Sequence, residues 1–77
     1  SEDDLRVIVQ DVLWQAYILD VIYLSHNELA RADDHIIIDT STLKATIIDF
    51  ESATIGKKCK NLTQIISYLH NRNVIRI

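Results

Sequence analysis

The stretch His35-Ile36-Ile37-Ile38-Asp39-Thr40-Ser41-Thr42-Leu43-Lys44-Ala45-Thr46-Ile47-Ile48-Asp49 decides how this chain folds. Isoleucine and threonine branch at Cβ, which stiffens χ1 and suits a pleated surface better than a helix. His35–Asp39 therefore reads as one strand and Lys44–Asp49 as a second. Thr40, Ser41 and Thr42 between them make a turn. Two short strands joined by about four residues predict an antiparallel hairpin.

Upstream of the hairpin the period changes. Leu5, Ile8, Val9, Val12, Leu13, Ala16, Leu19 and Tyr23 recur mostly at steps of three and four, which predicts a helix from about Asp3 to Ser25. Glu2, Asp3 and Asp4 suit the positive end of its dipole. From Ala16 to Leu24 the only charge is Asp20, while Tyr17, Ile18, Val21 and Ile22 widen the apolar face. Trp14, Tyr17 and Tyr23 are expected to pack, and Phe50 to join the core. Ser25 to Asp34 is polar and reads as loop, as does Glu51 to Lys60. Asn61 is a good N-cap with Gln64 at capping-box spacing, and Leu62, Ile65, Ile66 and Leu69 form one apolar stripe. This second helix should end near His70 to Asn73, leaving Val74 to Ile77 as a short apolar tail. The expected architecture is α+β, with residues 1–77 forming a single small domain: a long N-terminal helix, a β-hairpin and a C-terminal helix.

Composition narrows the function classes. The 77 residues are 48% hydrophobic with a net charge of −3, so the chain is neither disordered nor large enough for a two-lobed enzyme. The sequence pI near 5.4 argues against nucleic acid. Its only basic cluster, Lys57, Lys58 and Lys60, reads as a solvated loop. Cys59 is the sole cysteine, so no disulfide within the chain and no cysteine metal centre is expected. Val12 to Leu24, broken by Gln15 and Asp20, falls short of the roughly 20 apolar residues a membrane span needs. A cytoplasmic protein is the expectation. One glycine and no proline imply long elements and few tight turns, or a piece of something larger.

Two places carry chemistry. His26-Asn27-Glu28-Leu29 follows the apolar helix, and Ile47-Ile48-Asp49-Phe50-Glu51 ends a strand. A carboxylate at a strand end suits a divalent cation, because the sheet fixes its backbone while its side chain faces a loop. A second carboxylate on a neighbouring loop can serve as general base or second anchor. Taken singly, each residue has an ordinary reading as well. His26 is then a helix-end histidine, Glu28 and Asp33 are solvated acids, and Asp49 is a turn residue bonding nearby N–H groups.

Taken together, the order helix, His-x-acid-Leu, loop, apolar hairpin, Asp-Phe-x resembles the catalytic core of protein kinases, whose signature is His-Arg-Asp-Leu-x-x-x-Asn followed by Asp-Phe-Gly. It is similar in particular to a group of small archaeal predicted serine/threonine kinases related to RIO-type atypical kinases. The residues that carry the resemblance are His26, Glu28, Leu29, Arg31, His35, the run Ile48-Asp49-Phe50-Glu51-Ser52-Ala53, and Asn61-Leu62-Thr63-Gln64. It covers most of the chain but only the central part of a kinase C-terminal lobe. The resemblance implies ATP and Mg2+ as cofactors and a protein as phospho-acceptor. It implies Glu28, with His26, at the catalytic-base segment, and Asp49 as the carboxylate that holds magnesium against the nucleotide phosphates.

The second metal ligand falls five positions after the base, at Asp33, with His35 as the nearby alternative. Asp33 offers a hard oxygen, whereas a neutral imidazole is a poor magnesium ligand. Glu28 replaces an aspartate, and Glu51 replaces a glycine, which should make that turn less permissive. The 77 residues contain no Gly-rich loop, strand lysine or partner glutamate helix. The implied function is thus a fragment or degenerate form of an ATP-dependent serine/threonine kinase, inactive alone. The competing expectation is a non-catalytic module that self-associates as a homo-oligomer through the apolar surface of its first helix.

Overall fold

The structure, a computed structural model, describes residues 1–75. It is α+β, with a long N-terminal helix, two small antiparallel strand pairs and a C-terminal helix. Helix α1 (Glu2–Val21) begins at Ser1, whose Oγ accepts the Asp4 N–H at 3.1 Å. It buries Val12 and Ala16 and ends four residues earlier than its periodicity predicts. Tyr23 adopts a left-handed φ of 61° and its N–H bonds the Asp20 carbonyl, which turns the chain out of the helix.

That turn frees Leu24–Ser25 to form β1, which pairs with β4 (Thr54–Ile55), Leu24 opposite Ile55. In the sequence Leu24–Ser25 reads as the end of the helix and Thr54–Ile55 as loop, because two-residue strands carry no periodicity. The hairpin is as expected in type. Strands β2 (Ile36–Asp39) and β3 (Lys44–Ile47) are antiparallel, Ile36 opposite Ile47 and Asp39 opposite Lys44. The turn between them is held by the Asp39 carboxylate, which accepts the Ser41 N–H, and by the Leu43 N–H on the Asp39 carbonyl. A 3₁₀ segment, Leu29–Asp34, leads into β2.

Helix α2 (Asn61–Asn71) ends in a paired closure in which the Asn73 N–H reaches the His70 carbonyl and the Val74 N–H the Leu69 carbonyl. Asn73 takes φ 59° there, a conformation asparagine tolerates better than most residues. Of the expected apolar tail, Arg76 and Ile77 lie outside the described residues.

The core lies where α1, α2, the 3₁₀ segment and β3 meet. It comprises Val12, Ala16, Leu29, Ala32, Ala45, Ile47 and Ile65. Trp14, Tyr17 and Tyr23 do not pack into the core: they are 60%, 48% and 49% exposed. Phe50 is 39% exposed and stands at the core's edge rather than in it. A helix apolar on most of its circumference exceeds what so short a chain can cover. Among the described residues no helix is long and apolar enough to cross a membrane.

A carboxylate fastens β3 to α1. Asp11 Oδ2 accepts the Ala45 N–H at 2.8 Å, and Asp11 Oδ1 accepts Gln15 Nε2, which also donates to the Ala45 carbonyl. The Ala45 N–H first, then Gln15 and the charge of Lys44, hold the Asp11 carboxyl below its usual range against the opposing effect of burial. A lowered folded-state pKa adds stability that is present above the unfolded value and lost as pH falls through the folded one. Asp11→Asn should therefore destabilise the protein at pH 7, with the gap to wild type shrinking as pH drops below 3.8. Urea unfolding at pH 7 and pH 3 measures this, and a pH-independent gap would refute it.

Candidate metal centre

The segment between β1 and the 3₁₀ turn is built around His26, which is fully buried. Its backbone N–H donates to Asn61 Oδ1 at 2.9 Å. Its ring Nε2 lies 2.8 Å from the Ile48 carbonyl, and its Nδ1 lies 3.2 Å from the Glu28 backbone nitrogen. A carbonyl only accepts and an N–H only donates, so these partners assign the proton to Nε2 and the lone pair to Nδ1. Both ring nitrogens are thereby engaged with backbone. His26 fastens the Glu28 segment to the strand exit that leads to Asp49.

Asn27 reinforces the join. It sits at φ 76° and its Nδ2 donates to the Ser52 carbonyl and the Thr54 hydroxyl. On the other side, Asn61 is 1% exposed and serves no N-cap role. The helix start is capped from outside instead, by Asp20 of α1, whose carboxylate accepts the Asn61 and Leu62 backbone N–H groups. The Asn61 amide then donates to Asp20 Oδ1 at 2.8 Å and to the Leu24 carbonyl at 2.7 Å. Asp20 and Asn61 thus support the His26 segment structurally, a part the sequence reading did not assign to them. The one available signal was a lone charge in the otherwise uncharged run Ala16–Leu24.

This scaffold brings three of the expected residues together. His35 Nε2 lies 3.5 Å from Glu28 Oε2 and 3.9 Å from Asp49 Oδ2. One ligand atom from each of Glu28, His35 and Asp49 lies within 4.8 Å of the others. His26 and Phe50 pack edge-on behind them, at 5.2 Å from the His35 ring and 4.9 Å from the His26 ring respectively. Asp33 is not brought in. The 3₁₀ turn carries it outward, where it pairs with Arg72 at 3.3 Å. His35, two residues on, takes the place beside Glu28.

The Asp49 backbone is held at φ 61°, where a non-glycine residue stores strain. Asp49 Oδ1 accepts the Glu51 N–H at 3.4 Å. Glu51 itself is not among the left-handed residues, so this position does not need a glycine's conformational freedom. Chemically, the Glu28 and Asp49 carboxylates and the His35 imidazole, whose free atoms converge, are of the types that could hold a cation. No protein-family model, curated protein or solved structure matches the chain.

Proposed function

We propose that this chain carries the base and metal-holding segments of a kinase-like phosphotransferase. What supports the reading is the convergence of Glu28 and Asp49, which lie 21 residues apart in sequence, at one edge of the hairpin. Their carboxylates fit Mg2+, which is usually bound through one or two carboxylates together with substrate phosphates; the imidazole of His35 does not. Magnesium, when bound with ATP, supplies charge neutralisation for the phosphates. Asp49 anchors that charge from the strand end. Glu28 orients the acceptor hydroxyl and takes its proton at a carboxylate oxygen. The parts that cover a nucleotide are not in these 77 residues, so turnover by this chain alone is not expected.

The test is a nitrogen–proton correlation spectrum with and without Mg·ATP, on wild type and Asp49→Asn. Shifts confined to the residues around Glu28, His35 and Asp49, and lost in Asp49→Asn, are the expected result. A dispersed spectrum indifferent to Mg·ATP would overturn the reading.

A second reading rests on α1. Val7, Trp14, Ile18 and Val21 recur down one exposed side, and Trp14 stacks on Tyr17 at 5.6 Å between centroids. A bare apolar stripe of this spacing suits a second helix, including that of another copy. Repeating the spectra at two protein concentrations separates the readings, since self-association broadens and shifts the α1 resonances regardless of nucleotide.

A further inference from the structure

In the Glu28–His35–Asp49 cluster each side chain gives one atom to the protein and turns another toward the shared centre. Glu28 Oε1 is held by the Arg31 guanidinium at 3.0 Å, leaving Oε2. Asp49 Oδ1 is held by the Glu51 N–H, leaving Oδ2. His35 Nδ1 lies 2.8 Å from the Arg31 carbonyl and must donate to it, which leaves the lone pair on Nε2. The His35 side chain is only 6% exposed, and its Nε2 makes no hydrogen bond among the described residues, yet faces both carboxylates. A ring N–H on a backbone carbonyl fixes the tautomer and raises the basicity of the opposite nitrogen, the usual setting of a metal-bound histidine.

From this we infer that the cluster is a three-ligand site for a first-row transition cation of the zinc class, bound through Glu28 Oε2, His35 Nε2 and Asp49 Oδ2 without nucleotide. The donor chemistry selects the ion. A nearly buried imidazole nitrogen contributes little to Mg2+, which takes oxygen and keeps its waters, whereas imidazole suits Zn2+ and its neighbours. Ligand atoms about 2.0–2.2 Å from a tetrahedral zinc stand roughly 3.4 Å apart. Glu28 Oε2 and His35 Nε2, at 3.5 Å, already have that spacing, while Asp49 Oδ2, 3.9 Å from His35 Nε2, must move in by a side-chain adjustment of roughly 0.5–1.4 Å. Three protein ligands leave a fourth position open to water or a phosphate oxygen, the pattern of catalytic rather than structural zinc. The inference shares its side chains with the phosphotransferase reading but does not need ATP.

The test is calorimetric titration of the chain with Zn2+ and separately with Mg2+, no nucleotide present, with the His35 ring nitrogens followed by long-range nitrogen–proton spectra. One equivalent of Zn2+ should bind at least tenfold more tightly than Mg2+, with a large shift at His35 Nε2 and little at Nδ1. Asp49→Asn, at a half-exposed position, should weaken Zn2+ at least tenfold. Because His35→Ala risks the fold, His35→Gln serves as the second variant and should abolish the preference for Zn2+ over Mg2+. Zinc shifts confined to Cys59 and His70, or equal affinities for the two ions, would overturn the inference. Zinc binding with no Mg·ATP response would leave the site standing and remove the kinase reading; the converse would do the opposite.

Discussion

Asn61→Ala should lower stability by about 3–4 kcal/mol, a large part of the roughly 4–12 kcal/mol expected for a domain of 77 residues. The side chain is almost wholly buried and makes three bonds: one accepted from the His26 N–H, one donated to Asp20 and one donated to the Leu24 carbonyl. Truncation leaves the His26 N–H and the Leu24 carbonyl without their partner. A buried polar group left unpaired costs about 1–3 kcal/mol, so two of them dominate the sum. The backbone bonds from Asn61 and Leu62 to Asp20 survive, which keeps α2 capped and limits the loss. Asn61→Asp is no rescue, because it keeps the acceptor for His26 but sets a second carboxylate against Asp20. Urea unfolding followed by far-UV circular dichroism gives the number, since Trp14 is too exposed to report folding well by fluorescence. A loss below 1 kcal/mol would show that water replaces the amide.

The consequence reaches the cluster through a chain of contacts. Asn61 holds the His26 backbone, and the His26 ring holds the Glu28 N–H and the Ile48 carbonyl, one residue before Asp49. The Glu28 and Asp49 segments are thus placed by a network whose anchor is at the start of α2. Ligands need that kind of support to hold a productive geometry, because their own side chains are free to rotate.

Much of this was legible in the chain. The hairpin declared itself through its β-branched isoleucines and threonines, and α2 through the clean helical period of its one apolar stripe. The α1 boundary did not, because its apolar residues run past Val21 and its true stop depends on Asp20 being drawn to α2, a contact across 41 positions. For the same reason Asn61 looked like a cap: local spacing cannot show that a side chain is aimed at another element. The strand pair β1–β4 was invisible, being two residues on each side. Within the site, Glu28 and Asp49 could be read from motif order. The choice between Asp33 and His35 could not be made by counting, since it turns on the 3₁₀ segment and its irregular residue Arg31, at φ −112° and ψ 59°.

Leu29→Ala is the second large effect, expected at about 3–4 kcal/mol. Leu29 is fully buried with Val12, Ala16, Ala32, Ala45, Ile47 and Ile65 around the same core. Removing a buried leucine side chain loses its transfer free energy and leaves a cavity, together about 2–5 kcal/mol. The 3₁₀ segment is short and closed by few backbone bonds, so it can partly collapse into the space, which argues for the middle of that range. Leu29 directly follows Glu28, so the same truncation loosens a proposed zinc ligand without touching its chemistry. Ligand binding to the folded state alone offsets instability, by about 2.7 kcal/mol at a hundred times the dissociation constant. Saturating Zn2+ should therefore return most of the stability that Leu29→Ala loses, and return none of it in the Leu29→Ala, Asp49→Asn double variant. Asp49→Asn by itself should change stability by less than about 0.5 kcal/mol, because the side chain is half exposed and asparagine tolerates the left-handed backbone at this position. Equal recovery in the single and double variants would mean that zinc acts somewhere other than the Asp49 carboxylate.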